Sequence, residues 1–563
     1  MNRRILQILL CALGGAALLL ILAAALLSPN REGVARVGIT LSHDSGFYDE
    51  PFDLELEGSG PIYYTLDATE PNENSPRYEG PIRIEDASGN PNVYSMNTDV
   101  SLEFHTDILD QEGRGLHNRY QLPDAPVDKA TVLRAVCIDE EGNRGDEICA
   151  VYFVDYRTKT GYQDLNIVSI TTNPENLFDY EKGIYVLGTG FWDSLVDGRV
   201  TAKDSNYEFW PANYRQRGID WEREAYVACF DAERNQTLSG KFGIRIQGRY
   251  TRGMLPKSLN VFARKQYGQK YIDAAPLFGV NWQLSSLNLN TGANGIRVKL
   301  HDYMINALVG DMDVATRDYR PCALFLDGEF WGVYWMTPRY EEEFFQNRYG
   351  VYGSDVISVK VGEVEIGRDE DIELYNDMVD EISSGDMSDP AQYARACELV
   401  DIDSCIDYYA TEIYTVNTDW PHLNKALWRT RNVSDGEYAD GRWRWIIFDM
   451  NCALNPDKLD YDMVQWAINR DTLFASLMDN EGFKKALYAR LVDLAEDTFD
   501  PEKTDAFVLE YWMAMTDIMQ KDYQRYYADT RGAEDFRDYC FEIAGFFRKR
   551  SADILERYGD YRE

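Results

Sequence analysis

A chain of 563 residues with a formal net charge of −38 is larger than one hydrophobic core normally serves, and it would be repelled by phosphate backbones. These two facts exclude a single small domain and argue against nucleic acid as a partner. An apolar content of 45%, with 13% aromatics, excludes a disordered chain, and five histidines with no H-x-x-x-H pair leave no zinc signature.

Met1-Asn2-Arg3-Arg4 precedes an uncharged apolar stretch, Ile5 to Leu27, closed by Ser28-Pro29-Asn30. At about 1.5 Å per helical residue this stretch crosses a hydrocarbon core of about 30 Å. The leading arginines favour a cytoplasmic N-terminus and an exported remainder. The expectation is a transmembrane anchor over residues 1–33, with the bulk extracytoplasmic at the cell surface. Cleavage near "LAAALL" would instead give a secreted protein.

Residues 34–157 alternate apolar and polar positions in "FDLELEG", "IYYTLDATEP", "GPIRIED", "ATVLRAVCIDEEGN" and "EICAVYFVDY", separated by turn formers. The pattern predicts a small immunoglobulin-like β-sandwich. Cys137 and Cys149 flank a polar turn between two β-prone runs; a cross-hairpin disulfide and two free buried thiols are both open. The run Tyr64-Thr65-Leu66-Asp67-Ala68-Thr69-Glu70-Pro71 resembles the hairpin of the chitobiase/β-hexosaminidase C-terminal type of accessory domain, with Ala68 in place of a usual glycine. No catalytic constellation falls here, so the module reads as a spacer or a docking unit with a cell-wall or glycan contact.

"DYRTKTGYQDLN" is a polar joint into the larger part, residues 158–563. There "GKFGIRIQGRYTRGMLPKSLNVFARKQYG" reads as strand, glycine-containing loop, strand. "LHDYMINALVGDM" has helical spacing, and "RPCALFLDGEFWGVYWM" is a hairpin turning at Asp327-Gly328. An acidic helical patch spans roughly 362–400. "DIDSCIDYYATEIYTVN" is a helix leading into "NTDWPHLNKALWR", and "RWRWIIFDMN" is a strand ending in Asp449. From about 470 onward, apolar residues recur at three- and four-residue intervals, which predicts helices. The fold class is therefore α+β and compatible with two lobes.

Asp419 and Asn424 stand five positions apart, and Asp449 ends a following strand. Phosphoryl transfer needs a group to orient the attacking hydroxyl, oxygen ligands for a divalent ion, and cations for the nucleotide phosphates. An Asp and an Asn at this spacing followed by a strand-end Asp match the order of a protein-kinase site. Taken alone, D-x-x-x-x-N is a common pattern, and Asn, Asp and Pro are ordinary turn formers.

The segment from about 165 to 555 resembles the spore-coat CotH kinase family, whose members have a divergent protein-kinase-like fold. The resemblance rests on "GIRIQGRYTRGMLPKSLNVFARKQYG", "FLDGEFWGVYWM", "VDIDSCIDYYATEIYTVNTDWPHLNKALWR", "GRWRWIIFDMN" and "FFRKRSADIL". It implies a two-lobed, kinase-like domain that uses ATP with Mg²⁺ or Mn²⁺ to phosphorylate Ser/Thr hydroxyls of a coat or surface protein. It assigns Asp419 as the catalytic aspartate and Asn424 and Asp449 as metal ligands. Lys257 falls where the family keeps a lysine near the nucleotide, and Arg245, Gly248 and Arg252 form the adjoining basic loop.

This sequence departs from the family pattern in three places. Asn451 replaces a second acid after Asp449, and Pro338-Arg339 stands where relatives place Glu before Arg. "LNLNTGANG" lacks the arginine and aspartate that many relatives carry there. These departures keep open a catalytically weak or inactive surface or spore-coat protein that uses the kinase-like scaffold for binding. His301-Asp302 mimics a triad fragment but reads as a pair capping the start of a helix, and no G-x-S-x-G elbow accompanies it.

Overall fold

The computed structural model describes residues 38–105, 120–200, 209–292 and 297–562. The expected anchor over residues 1–33 lies outside them. Among the described residues, no helix is long and apolar enough to cross a membrane.

The first part is built from eight short strands: β1 (Ile39–Leu41), β2 (Gly46–Tyr48), β3 (Phe52–Leu54), β4 (Leu56–Gly58), β5 (Ile62–Thr65), β6 (Ile82–Ile84), β7 (Thr131–Cys137) and β8 (Ile148–Val154). A four-stranded sheet, β2-β8-β7-β5, joins two-stranded pairs β1-β4 and β3-β6 around a small core of Leu54, Leu56, Ile62, Ile84, Leu133 and Tyr152. Ala68, at the position where a glycine was expected, adopts φ 60° in the turn after β5.

Residues of β7 and β8 alternate between two cores. Leu133, Ala135 and Cys137 face the small one, while Val132, Val151 and Phe153 join the main core. This decides the cysteine question. Cys149 stands opposite Arg134, not opposite Cys137, and a three-residue offset turns the two thiols to opposite faces of the sheet. Both are free.

Seven strands then close into a barrel: β9 (Asn166–Thr171), β10 (Arg223–Phe230), β11 (Gln236–Ile246), β12 (Leu259–Phe262), β15 (Ser286–Asn290), β16 (Arg320–Leu326) and β17 (Glu329–Pro338). The spatial order is β10-β11-β12-β15-β17-β16-β9, and a small pair, β13 (Ile272–Asp273) with β14 (Gln283–Leu284), lies apart. The seam is the parallel pairing of β9 with β16. Asp327 (φ 47°) and Gly328 (φ 87°) make the tight turn expected between β16 and β17.

The first part docks on that hairpin. Glu329 accepts the amides of Val93 (2.6 Å) and Ser95 (2.8 Å), while Ala130 N donates to Gly328 O at 2.8 Å.

A second sheet, β19-β18-β20-β21, uses β18 (Val356–Lys360), β19 (Glu363–Ile366), β20 (Ala426–Thr430) and β21 (Arg444–Ile446). The helices that concern the site are α1 (His301–Leu308), α2 (Ile402–Tyr414), α3 (Glu481–Asp493), α4 (Pro501–Tyr527) and α5 (Ala533–Tyr558). The long α4 leans on β17. Asp522 accepts Val333 N and Lys299 Nζ, both at 2.8 Å, with both side chains buried. Gly332 permits this approach, because a Cβ there would meet Asp522 Oδ1 at 2.7 Å. The chain is thus mixed α+β, strand-rich first and helical at its end.

Candidate functional site

The loop after α2 holds Asp419 and Asn424. α2 starts at Asp401, whose side chain accepts Ser404 N at 3.3 Å, and Cys405 through Tyr414 are all buried. A helix buried this completely is a rigid base for the loop.

The loop itself is tied from several directions. Thr415 O accepts Leu454 N (2.8 Å), Thr418 Oγ1 accepts Lys458 Nζ (2.6 Å), and Trp420 O accepts Trp466 Nε1 (2.7 Å). Tyr408 OH donates to Asn424 O at 3.1 Å, and Lys425 Nζ pairs with Asp471 at 2.8 Å. Within this frame Asn424 Nδ2 donates to Asp419 Oδ2 at 3.1 Å.

Asp449 sits just beyond β21, which ends at Ile446, so the expected strand-end aspartate is instead the first residue of a turn. It takes the left-handed conformation, φ 58° and ψ 49°. The next amide, Met450 N, donates to Asp302 Oδ1 at 2.7 Å, and Asn451 Nδ2 donates to Asp449 Oδ1 at 3.2 Å. Asp302, read in the sequence as a helix-capping residue, makes no cap for α1; its carboxylate faces the Asp449 turn.

Sheet register gathers these groups at one end. Lys360, the last residue of β18, pairs with Ala426 of β20, which pairs with Ile446 of β21. Asn424, Lys360 and the Asp449 turn therefore share one margin.

The acids lie close enough to act on one another's charge. Burial raises the pKa of Asp419, and the neighbouring Asp449 charge raises it further. Burial and the same neighbour push Asp302 up to about 6. Buried Glu412 of α2 is raised well above the carboxylate range by burial, with Asp449 and Asp302 adding to it. Each acid makes it harder for the next to ionise.

Facing them is Lys360, whose Nζ rests 4.2 Å from the centre of the Phe448 ring. Burial lowers its pKa, while Asp449 pulls it up. Arg217 also acts on Lys360, and Arg217 Nη2 donates to Gly248 O at 3.3 Å. Sequence reasoning set Asp302 aside as a helix cap and passed over Lys360, because neither belongs to the spaced Asp, Asn and Asp pattern.

The expected nucleotide residues occupy the loop between β11 and β12. Gly248, at φ 106°, tolerates no Cβ, since one would meet Thr251 Oγ1 at 2.2 Å. Arg245 stacks 4.1 Å from the Phe262 ring and lies 3.5 Å from Glu222. Arg252 spends its guanidinium on the carbonyls of Gly248 (2.7 Å), Tyr214 and Gln216 (2.9 Å each).

Lys257 is fully buried. Its Nζ donates to Arg252 O at 2.7 Å and lies 3.8 Å from the Tyr214 ring centre. Burial drives its pKa well down, and the carboxylate that opposes this is Glu103 of the first part. Glu341 pairs with Arg339 at 2.5 Å. Lys257 and Arg252 thus brace the loop from inside and are not brought to the Asp419 cluster.

A cavity of about 680 Å³ opens at the other end of the β18–β21 sheet, lined by Asp313, Tyr349, Asp401, Tyr438 and Arg442 among others. None of the acids around Asp419 lines it. Among the described residues, no group of three or more His, Cys, Asp or Glu side chains is disposed to hold a metal ion.

Two family models match the chain. One, described as CotH kinase protein, covers residues 244–554, and one described as Fn3 associated covers residues 52–150. No curated protein matches it.

Proposed function

Because the chain belongs to the CotH kinase protein family, we propose that it is an atypical protein kinase that transfers the γ-phosphate of ATP to a Ser/Thr hydroxyl of a coat or surface protein. The observation that carries this reading is the Asp419–Asn424 pair, hydrogen-bonded at 3.1 Å and within the field of Asp449, on a loop braced by buried groups.

Asp419 is proposed to orient the acceptor hydroxyl and take its proton. The donor set suits a hard divalent cation: Asn424 and Asp449 would hold Mg²⁺ or Mn²⁺ through oxygens, with phosphate and water completing the shell. The ion's role is to neutralise charge on the phosphates. The repulsion that Asp449 exerts on both Asp302 and Asp419 supports the fit, since a cation relieves it.

On the nucleotide side we assign Lys360 the phosphate contact, because its ammonium faces Asp449 from the sheet margin. Lys257, Arg252 and Gly248 would shape the covering loop, and Arg245 would add charge at its base. The barrel and the helical part correspond to two lobes, with ATP between them. Export to the cell surface, with residues 1–33 as anchor, completes the proposal; Arg3-Arg4 ahead of the apolar stretch supports it.

A second reading, a binding scaffold without turnover, draws support from the inward commitment of Lys257 and Arg252. Incubating the full chain with γ-labelled ATP and Mn²⁺ or Mg²⁺ separates the two. Transfer to itself or to an added protein, lost in Asp419→Ala and Asp449→Ala with circular dichroism unchanged, supports the kinase. Equal background in all three proteins, with no nucleotide-dependent thermal shift, favours the scaffold.

A further inference from the structure

We propose that Asp302 is a positioning residue: by accepting the Met450 amide, it holds the turn that aims Asp449 at Asp419, and so couples α1 to the metal site. The proposal rests on the reading of Asp449 as a metal ligand, but its structural core stands on the turn alone.

Asp449 adopts a left-handed conformation, which aspartate enters more readily than most side chains but which a defined set of contacts must still select. The short 3₁₀ turn that follows (Met450–Cys452) receives no cap from the Asp449 side chain, whose Oδ1 instead accepts Asn451 Nδ2. Beyond the turn's own bond from Ala453 N to Met450 O (3.0 Å), an external group holds its first amide. Asp302 Oδ1 takes Met450 N at 2.7 Å from 148 residues away in sequence. A buried carboxylate accepting a backbone amide makes a strong, directional bond.

Asn451 belongs to the same arrangement. Its amide donates to Asp449 Oδ1 at 3.2 Å and also serves Asp302. The residue that departs from the family pattern thus bridges two carboxylates where a third acid would add repulsion. Asp302 is in turn seated by its own helix: Asn306 Nδ2 donates to Asp302 O at 2.9 Å, and Asn306 Oδ1 accepts Arg317 N at 3.3 Å. Asp302 itself is 4% exposed, which suits a bracing group better than a ligand facing solvent.

Two measurements on the full chain test this. The first is amide hydrogen exchange, without metal, of peptides covering residues 448–452. Asp302→Ala should exchange at least about tenfold faster, while Asp302→Asn, which keeps an acceptor oxygen in the same place, should stay near wild type. The second is Mn²⁺ titration. The dissociation constant should rise at least about tenfold in Asp302→Ala and stay within about threefold in Asp302→Asn.

Unchanged exchange in Asp302→Ala overturns the proposal. So does an equal loss of affinity in the Asn and Ala variants, which would assign the effect to charge. Should wild type and Asp449→Asn both fail to bind Mn²⁺, the kinase reading falls, and hydrogen exchange still decides the role of Asp302. If Asp302→Ala does not fold, Asp302→Ser, polar but too short to reach Met450, takes its place under the same outcomes.

Discussion

Replacing Arg550 by methionine removes the tie between α5 and the loop of Asp419. Arg550 is 2% exposed; its Nη2 donates to Ile413 O at 2.8 Å and its Nε to Tyr414 O at 3.0 Å. These carbonyls are among the last four of α2, which have no donor within the helix. Hydrogen bonds to a charged group contribute about 1.5–3 kcal/mol each, so the pair brings roughly 3–6 kcal/mol. The Asp553 partner, at 2.7 Å, is 27% exposed and adds at most about 1 kcal/mol. Burial lowers the Arg550 pKa, so removing the charge recovers part of a desolvation cost. Methionine fills most of the vacated volume, which leaves a net loss of about 3 kcal/mol. Urea unfolding followed by tryptophan fluorescence measures it, with hydrogen exchange of residues 411–420 as the local readout. Arg550→Lys, with its compact charge and no planar fork, should fall between wild type and Arg550→Met. A loss below about 1 kcal/mol, or a larger loss with exchange at 411–420 unaltered, would refute the reasoning.

Three further outcomes are expected. Lys360→Met should weaken ATP binding about tenfold in a nucleotide titration and leave the urea midpoint in place; an unaltered dissociation constant removes Lys360 from the phosphate side. Glu329→Ala leaves the Val93 and Ser95 amides without their acceptor at a cost of about 2–4 kcal/mol, so limited proteolysis near residues 92–105 should accelerate; wild-type cleavage rates would count against the docking role. His301 is half-buried, and the desolvation of its ring lowers its pKa from 6.5 to about 4, so the folded chain resists protonating it. Its stability contribution is complete above pH 6.5 and falls as pH drops towards 4, by up to about 3 kcal/mol. Asp302, raised to about 6, changes with the opposite sign over part of that range. The difference between wild type and His301→Asn is therefore the quantity to follow, and a difference that stays flat from pH 7 to 4 contradicts the assignment.

Local signals were legible in the sequence where one short segment carried them. Asp327-Gly328 announced its hairpin, and the apolar spacing of 402–414 and of the C-terminal region announced helices. Asp419 and Asn424 were singled out by their spacing alone, and the fold hydrogen-bonds one to the other. Contacts made across long separations were hidden. The parallel β9–β16 pairing joins residues more than 150 apart, and nothing in "NIVSIT" names its partner. The Cys137–Cys149 question turned on register, which flips a side chain to the other face with a single slip. Asp302 looked like a cap because its role lies in a turn 148 residues away. Lys257 kept its place beside the glycine loop, but the aromatic pocket that turns it inward comes from Tyr185 and Tyr214, outside the quoted blocks.

The barrel's closure bears on how the chain may be divided. The CotH kinase match begins at residue 244, inside β11, whereas β9, β10 and most of β11 precede it. A fragment starting at 244 would keep only Ile244–Ile246 of β11 beside β12 and would strip β16 of β9, leaving two open edges, an invitation to stack on neighbouring copies. The smallest piece able to stay in solution as a closed ring must therefore begin before Asn166. Because β7 and β8 bury one face against that ring, trimming between them and β9 would uncover fresh apolar surface on both sides of the cut.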